Sequence, residues 1–236
     1  MYTCVQPRFF SYKIVKERKN IYRHKLLGYY NYTVILTYMG MLTGFTGVVY
    51  AFENHIYRAL ICLMICGLCD MLDGAVASTK KRTEQEKCFG IQIDSLSDLI
   101  CFGVLPAVIV YSSGERSSIV LFVCLLYLLC SLIRLAYFNV DEQQRRQRCD
   151  VPRTVYYGLP VTTSAILLPA VCGAARFFSW RPSAAPAAAP AAALIIMAVL
   201  FLIPFPIKKP KLFGKICVVM CGIMEVVFVS FACDLV

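Results

Sequence analysis

Seven stretches of this chain are apolar over most of the ~20 residues a helix needs to cross ~30 Å of hydrocarbon, and short polar segments separate them. They cover residues 32–52, 57–77, 91–111, 117–140, 157–178, 191–207 and 212–233. The pattern predicts an all-α, polytopic membrane bundle occupying residues 32–236. The sixth stretch is short and ends in Pro204 and Pro206. Before it, the Pro/Ala-rich run at 181–193 reads as a loose outer-face connection feeding into that span. At the other end, residues 1–31 mix Phe9, Phe10, Ile14, Val15, Ile21, Leu26 and Leu27 with basic side chains and lack the continuous core of a cleavable signal. They read as an interfacial segment on the inner membrane surface, with a solvated basic tail as the alternative.

Composition supports the membrane reading: 59% of residues are hydrophobic and mean hydropathy is +0.66, outside the soluble globular range. Charge then orients the spans. Of the 24 Lys and Arg, only Arg58, Arg116, Arg176, Arg181 and the intramembrane Arg134 fall outside the N-terminal segment and alternate connections. By the positive-inside rule those basic segments are cytoplasmic, the N-terminus included. A net charge of +10 spread along span edges points to anionic lipid headgroups and not to nucleic acid. Thirteen cysteines lie mostly inside apolar runs and behave as small hydrophobes, and two histidines in separate segments make no zinc site.

Against this background the acidic residues stand out. Asp70 and Asp73 end the second stretch, and Asp94 and Asp98 begin the third. A carboxylate at the middle of a membrane helix costs roughly 2.5–3.5 kcal/mol, so something must offset four of them. Residues three and four apart share a helix face, which puts Asp70, Asp73, Gly74 and Ala77 on one stripe and Gly90, Asp94 and Asp98 on another. Side by side, the two stripes gather four carboxylates at the cytoplasmic end. Oxygen-only ligands at this density suit hard cations, Mg²⁺, Mn²⁺ or Ca²⁺, and four carboxylates suit two ions. The small residues in register leave room for a flat or phosphorylated ligand. A cation or proton relay is the competing reading, but transport sites sit near the midplane on interrupted helices, whereas these acids lie at one end.

The pattern resembles the signature of the CDP-alcohol phosphotransferase family: Asp-x-x-Asp-Gly-x-x-Ala-Arg, a short spacer, then Gly-x-x-x-Asp-x-x-x-Asp. Asp70, Asp73, Gly74, Ala77, Gly90, Asp94 and Asp98 stand at matching positions. Ser78 stands where the family has Arg, and the spacer at 79–89 is a few residues longer; Lys80, Lys81 and Arg82 are the nearby cations available to replace the lost charge. Segments 93–107, 134–140 and 157–160 resemble the integral-membrane phosphatidylserine synthase branch.

That resemblance implies a six-helix core, a homodimer, and an active site facing the cytoplasm from the cell (plasma) membrane, with the span at 212–233 an addition. It also implies transfer of a phosphatidyl group from CDP-diacylglycerol to L-serine, with glycerol 3-phosphate or inositol phosphate as alternative acceptors. Two divalent ions, Mg²⁺ or Mn²⁺, would be held by Asp70, Asp73, Asp94 and Asp98. Asp98 would act as general base, and Asp70, Gly74, Ala77, Ser78 and Gly90 would bind CDP. Arg134, alone inside a span, needs a partner: the acceptor's carboxylate on one reading, an aspartate, a backbone carbonyl or the interface on the other. Asn139 is a further acceptor candidate.

Overall fold

Three glycines on one face of the first span decide how closely its neighbours approach. The helix α1 (Tyr32–Phe52) buries Thr37, Gly40, Gly44, Gly47 and Ala51 and turns Ile35, Leu42, Phe45 and Phe52 outward to lipid. A Cβ on Gly44 would lie 2.7 Å from Cys101 Sγ, and one on Gly47 would lie 2.9 Å from Cys62 Cβ. Small residues thus let the backbones pack closely, the usual device where lipid supplies no hydrophobic drive between helices. A tight turn with Asn54 at φ 67° leads into α2 (Ile56–Ser78); Asn tolerates that left-handed backbone better than most residues.

The computed structural model describes residues 28–80, 82–114, 116–148, 155–178 and 188–208. The elements all belong to one compact unit, Asn31–Val236. The expected interfacial segment, apart from its last residues, and the expected seventh span at 212–233 lie outside the described residues.

A capping box starts the next helix, α3 (Glu84–Asp98). The Thr83 hydroxyl accepts from the Glu86 N–H at 3.3 Å, while the Glu86 carboxylate accepts from the Thr83 N–H at 2.8 Å. Asn31 Nδ2 also donates to Glu86, at 2.5 Å, tying the start of α1 to the start of α3. Beyond Asp98 the rod widens into a π-helical turn (Leu99–Val104) and continues as α4 (Leu105–Ser113). Pro106 explains the change: it has no N–H for the Phe102 carbonyl four residues back, and its ring clashes with that carbonyl in a regular helix. Leu105 N–H reaches five residues back, to Ile100, and the Phe102 carbonyl takes the Tyr127 hydroxyl at 2.7 Å and Ser164 Oγ at 3.5 Å instead.

Tyr127 is fully buried on α5 (Ser118–Arg148). At 31 residues this helix is roughly 46 Å long, more than a bilayer core needs. Its polar end, from residue 141, continues past the expected span boundary at 140.

The fifth and sixth spans also depart from the hydropathy reading. The fifth span was expected from 157, but Tyr157 closes a short strand β1 (Val155–Tyr157), and helix α6 (Ser164–Phe178) begins only after a 3₁₀ turn (Val161–Thr163). Gly158 at φ 77° and Pro160 break the helix there. The sixth span was expected at 191–207; helix α7 is Ala188–Leu202. It starts earlier because Ala is the best helix former and Pro190 is tolerated in a first turn, so the end of the Pro/Ala run is helix and not loose connection. It stops earlier because Pro204 and Pro206 cannot continue it, and β2 (Pro206–Lys208) then pairs antiparallel with β1, Tyr156 opposite Ile207.

Four of the helical rods are long and apolar enough to span a membrane: α1, α2, the continuous Glu84–Ser113 rod and α5. Two shorter apolar helices complete the described bundle. The chain is an integral, all-α membrane protein, and the eight cysteines among its described residues are free thiols.

Candidate active site

Helices α2 and α3 meet at one end, and their acids meet with them. Asp70, Asp73 and Asp94 each offer a carboxylate oxygen, all within 4.8 Å of one another. Asp98, one turn beyond Asp94, lines the same cleft, walled by Thr37 and Gly40 of α1, Cys66 and Cys69 of α2, and Ser97, Cys101 and Phe102 of the third rod. The space left between these side chains is narrow. That suits ions and waters; a nucleotide has to lie outside it.

Donors from three helices fix the walls. Thr37 Oγ1 donates to Asp73 Oδ2 at 3.4 Å, and Ser97 Oγ to the Thr37 carbonyl at 3.4 Å. Cys66 and Cys101 both donate to the Gly40 carbonyl, at 3.2 and 3.4 Å. The close packing at Gly44 and Gly47 is what brings this stretch of α1 within reach.

Like charges this close repel. At 4.8 Å one pair of carboxylates is opposed by about 3 kcal/mol for an effective dielectric of ~20. Among the described residues no Lys or Arg forms an ion pair with any of the four; Lys80–Glu86, Lys87–Glu84 and Arg145–Glu142 pair elsewhere. Convergent hard oxygens, without an ion-paired Lys or Arg among the described residues, fit a divalent cation.

The small residues fall in two places. A Cβ on Gly74 would meet nothing within 4 Å, so open space adjoins the acids on α2. A Cβ on Gly90 would touch the Arg82 guanidinium, 3.4 Å from Nη1. Ala77 is half-buried, and exposed Ser78 turns its hydroxyl back onto its own helix, donating to the Ala75 carbonyl at 2.6 Å.

Arg134 and Asn139 do not line the cleft. Arg134 is 8% exposed and its guanidinium donates to the carbonyls of Tyr157 at 2.5 Å, Leu159 at 3.2 Å and Gly158 at 3.4 Å, under the Phe138 ring. Backbone carbonyls, one of the partners considered for it, are thus among those it has. Asn139 Oδ1 accepts from Ser95 Oγ at 2.9 Å, linking α5 to the residue after Asp94.

Sequence reasoning missed Thr37, Ser97 and the capping box. The box was readable as Thr83-x-x-Glu86; a lone threonine in an apolar helix gives no such signal.

A family model described as CDP-alcohol phosphatidyltransferase matches residues 30–231. The chain is similar to the CDP-diacylglycerol–serine O-phosphatidyltransferase of Saccharomyces cerevisiae, 32% identical over 143 residues, covering 56% of this chain and 50% of the relative. It is 30% identical over 135 residues to the archaetidylserine synthase of Methanothermobacter thermautotrophicus, covering 57% and 54%. To the CDP-diacylglycerol–serine O-phosphatidyltransferase of Methanocaldococcus jannaschii it is 33% identical over 137 residues, covering 58% of each. The matches span about half the length of these curated relatives.

Proposed function

We propose that this chain, which belongs to the CDP-alcohol phosphatidyltransferase family, transfers a phosphatidyl group from CDP-diacylglycerol to the hydroxyl of L-serine, giving phosphatidylserine and CMP. The convergence of Asp70, Asp73 and Asp94 within 4.8 Å, on a cleft shared with Asp98, is the observation that carries this reading. Relatives named for transfer to serine, one of them acting in archaetidyl chemistry, support serine as the acceptor.

The four aspartates would hold two divalent ions, Mg²⁺ or Mn²⁺. Bound there, the ions would neutralise the diphosphate and the CMP that departs. Asp98 would receive the serine hydroxyl proton as the oxygen bonds to the phosphatidyl phosphorus and that phosphorus loses its bond to the CMP oxygen. Thr37 would orient Asp73. Asp70, Gly74, Ala77, Ser78 and Gly90 would border the nucleotide, with the open space at Gly74 admitting its cytosine and ribose. Arg134 and Asn139 would act on the acceptor side; with its guanidinium on three carbonyls, Arg134 would shape that side through the backbone at 157–159. The site would open to the cytoplasm from the plasma membrane, and the chain would work as a homodimer.

The test is CMP release by purified protein given CDP-diacylglycerol, Mg²⁺ or Mn²⁺, and a panel of alcohols. Release is expected with L-serine. Release with glycerol 3-phosphate or inositol phosphate alone would overturn the acceptor, and none with any alcohol would overturn the reading. Asp98→Asn should lower turnover roughly 100- to 10,000-fold while sparing CDP binding.

A further inference from the structure

The connection between α2 and α3 holds three cations in a row, and the structure places two of them differently. Lys80 Nζ lies 3.6 Å from Glu86 Oε1 and is engaged in holding the start of α3. Lys81 is outside the described residues. Arg82 forms no hydrogen bond or ion pair among the described residues, yet it is not loose in solvent: it is half-buried, with Nη1 against Gly90. Its backbone is held as well, because the next residue is the Thr83 of the capping box.

Gly90 is one turn before Asp94 on the same stripe, ~6 Å along the axis. The guanidinium is therefore beside the acidic cleft, close enough to Asp73 for the two charges to attract, but not paired with it. A group bearing two phosphates, with one at the aspartate-bound cations, would extend its other phosphate toward this position. A planar, permanently charged fork suits such an oxyanion. Gly90 gives the fork its resting place, since a larger side chain there would push it away. Ser78, whose hydroxyl is bonded to Ala75, offers no substitute.

We propose that Arg82, reaching along α3 to Gly90, grips the diphosphate of the CDP-linked substrate and so replaces the arginine that the family signature carries where this chain has Ser78. The proposal rests on the function inferred above and adds a binding residue from a different element. A guanidinium on the loop before α3 approaches the phosphates from the side of Gly90, where an arginine at the end of α2 would approach from Ala77.

Equilibrium binding of CDP and of cytidine to the full chain in lipid nanodiscs with Mg²⁺ tests it. Arg82→Gln should weaken CDP binding roughly 10- to 100-fold, the loss expected for a charge-assisted hydrogen-bonded contact, and leave cytidine binding unchanged. Arg82→Lys should recover part of the loss, and Ser78→Arg added to Arg82→Gln should recover more. Arg82→Gln binding CDP as tightly as the unaltered chain would overturn the proposal alone. Equal losses for CDP and cytidine would also overturn it, because the side chain would then be shaping the pocket. An unaltered chain that binds no CDP would remove the functional reading itself.

Discussion

Asp73 shows how a single residue serves two ends that conflict. It is bonded to Thr37, close to Asp70 and Asp94, and without an ion pair among the described residues, so the folded state without cations carries the repulsion of the cluster. Asp73→Asn should therefore raise the unfolding temperature in EDTA and abolish the further rise that Mg²⁺ gives the unaltered chain. Thermal unfolding with and without the cation checks both signs. Gly74 makes a complementary case. Its Cβ direction is open, and glycine inside a helix costs about 1 kcal/mol relative to alanine. Gly74→Ala should thus stabilise the protein slightly while weakening CDP affinity, a divergence that titration and unfolding together would reveal. The aspartates were legible in the sequence because charge in an apolar span is conspicuous. Arg82 was named only as one of three equivalent cations, and nothing in the text of the chain tells that one of the three pairs with Glu86 while another leans on Gly90.

At the scale of elements, the third rod has the most to explain. Its π turn follows Asp98 directly, so the turn sets the angle at which α3 delivers that side chain to the cleft. Tyr127 holds the turn by donating to the Phe102 carbonyl that Pro106 leaves unserved. Tyr127→Phe leaves this carbonyl only Ser164, at 3.5 Å, and should cost about 1–3 kcal/mol of stability, read by denaturant unfolding in micelles. Hydropathy located α1 and α2 to within a residue at each end, since long runs of apolar residues carry that signal at every position, and it left out the polar first turns of the third rod and the polar end of the fourth. It misplaced the start of α6 and both ends of α7. A window average registers Tyr157 and Ile203 as apolar, and it is insensitive to a glycine at positive φ or a proline without a donor. Those signals were present at Gly158, Pro160, Pro204 and Pro206, and they govern backbone conformation where hydrophobicity does not.

For the molecule as a whole, the bundle collects its acids at the end of α2 and α3 that the basic connection at 79–83 joins. The same arrangement that orients the chain by charge would place the cleft within reach of a water-soluble acceptor, with the lipid tails of the donor beside the spans. Cys88, exposed on α3 near that end, reports on the orientation. A membrane-impermeant maleimide should label it in inside-out vesicles and not in right-side-out ones, with the label lost in Cys88→Ser; labelling from the outer side alone would invert the topology. Fold class was legible from the spacing of apolar runs, and the pair of helices bearing the site from the family-like motif. The grouping of Thr37 with Asp73 depends on how tightly α1 docks, a property set by Gly44 and Gly47 in three dimensions and invisible in a linear pattern.

The central claim is that the cleft of Asp70, Asp73, Asp94 and Asp98 is a cation-dependent centre for phosphatidyl transfer to serine. Isotopically labelled L-serine, supplied with CDP-diacylglycerol to the purified chain over a titration of Mn²⁺, tests it directly through the label recovered in lipid. Label should enter phosphatidylserine in proportion to bound cation, vanish in EDTA and vanish in Asp94→Asn at every Mn²⁺ concentration. Incorporation that persists in EDTA, or in Asp94→Asn at the unaltered rate, would contradict the account.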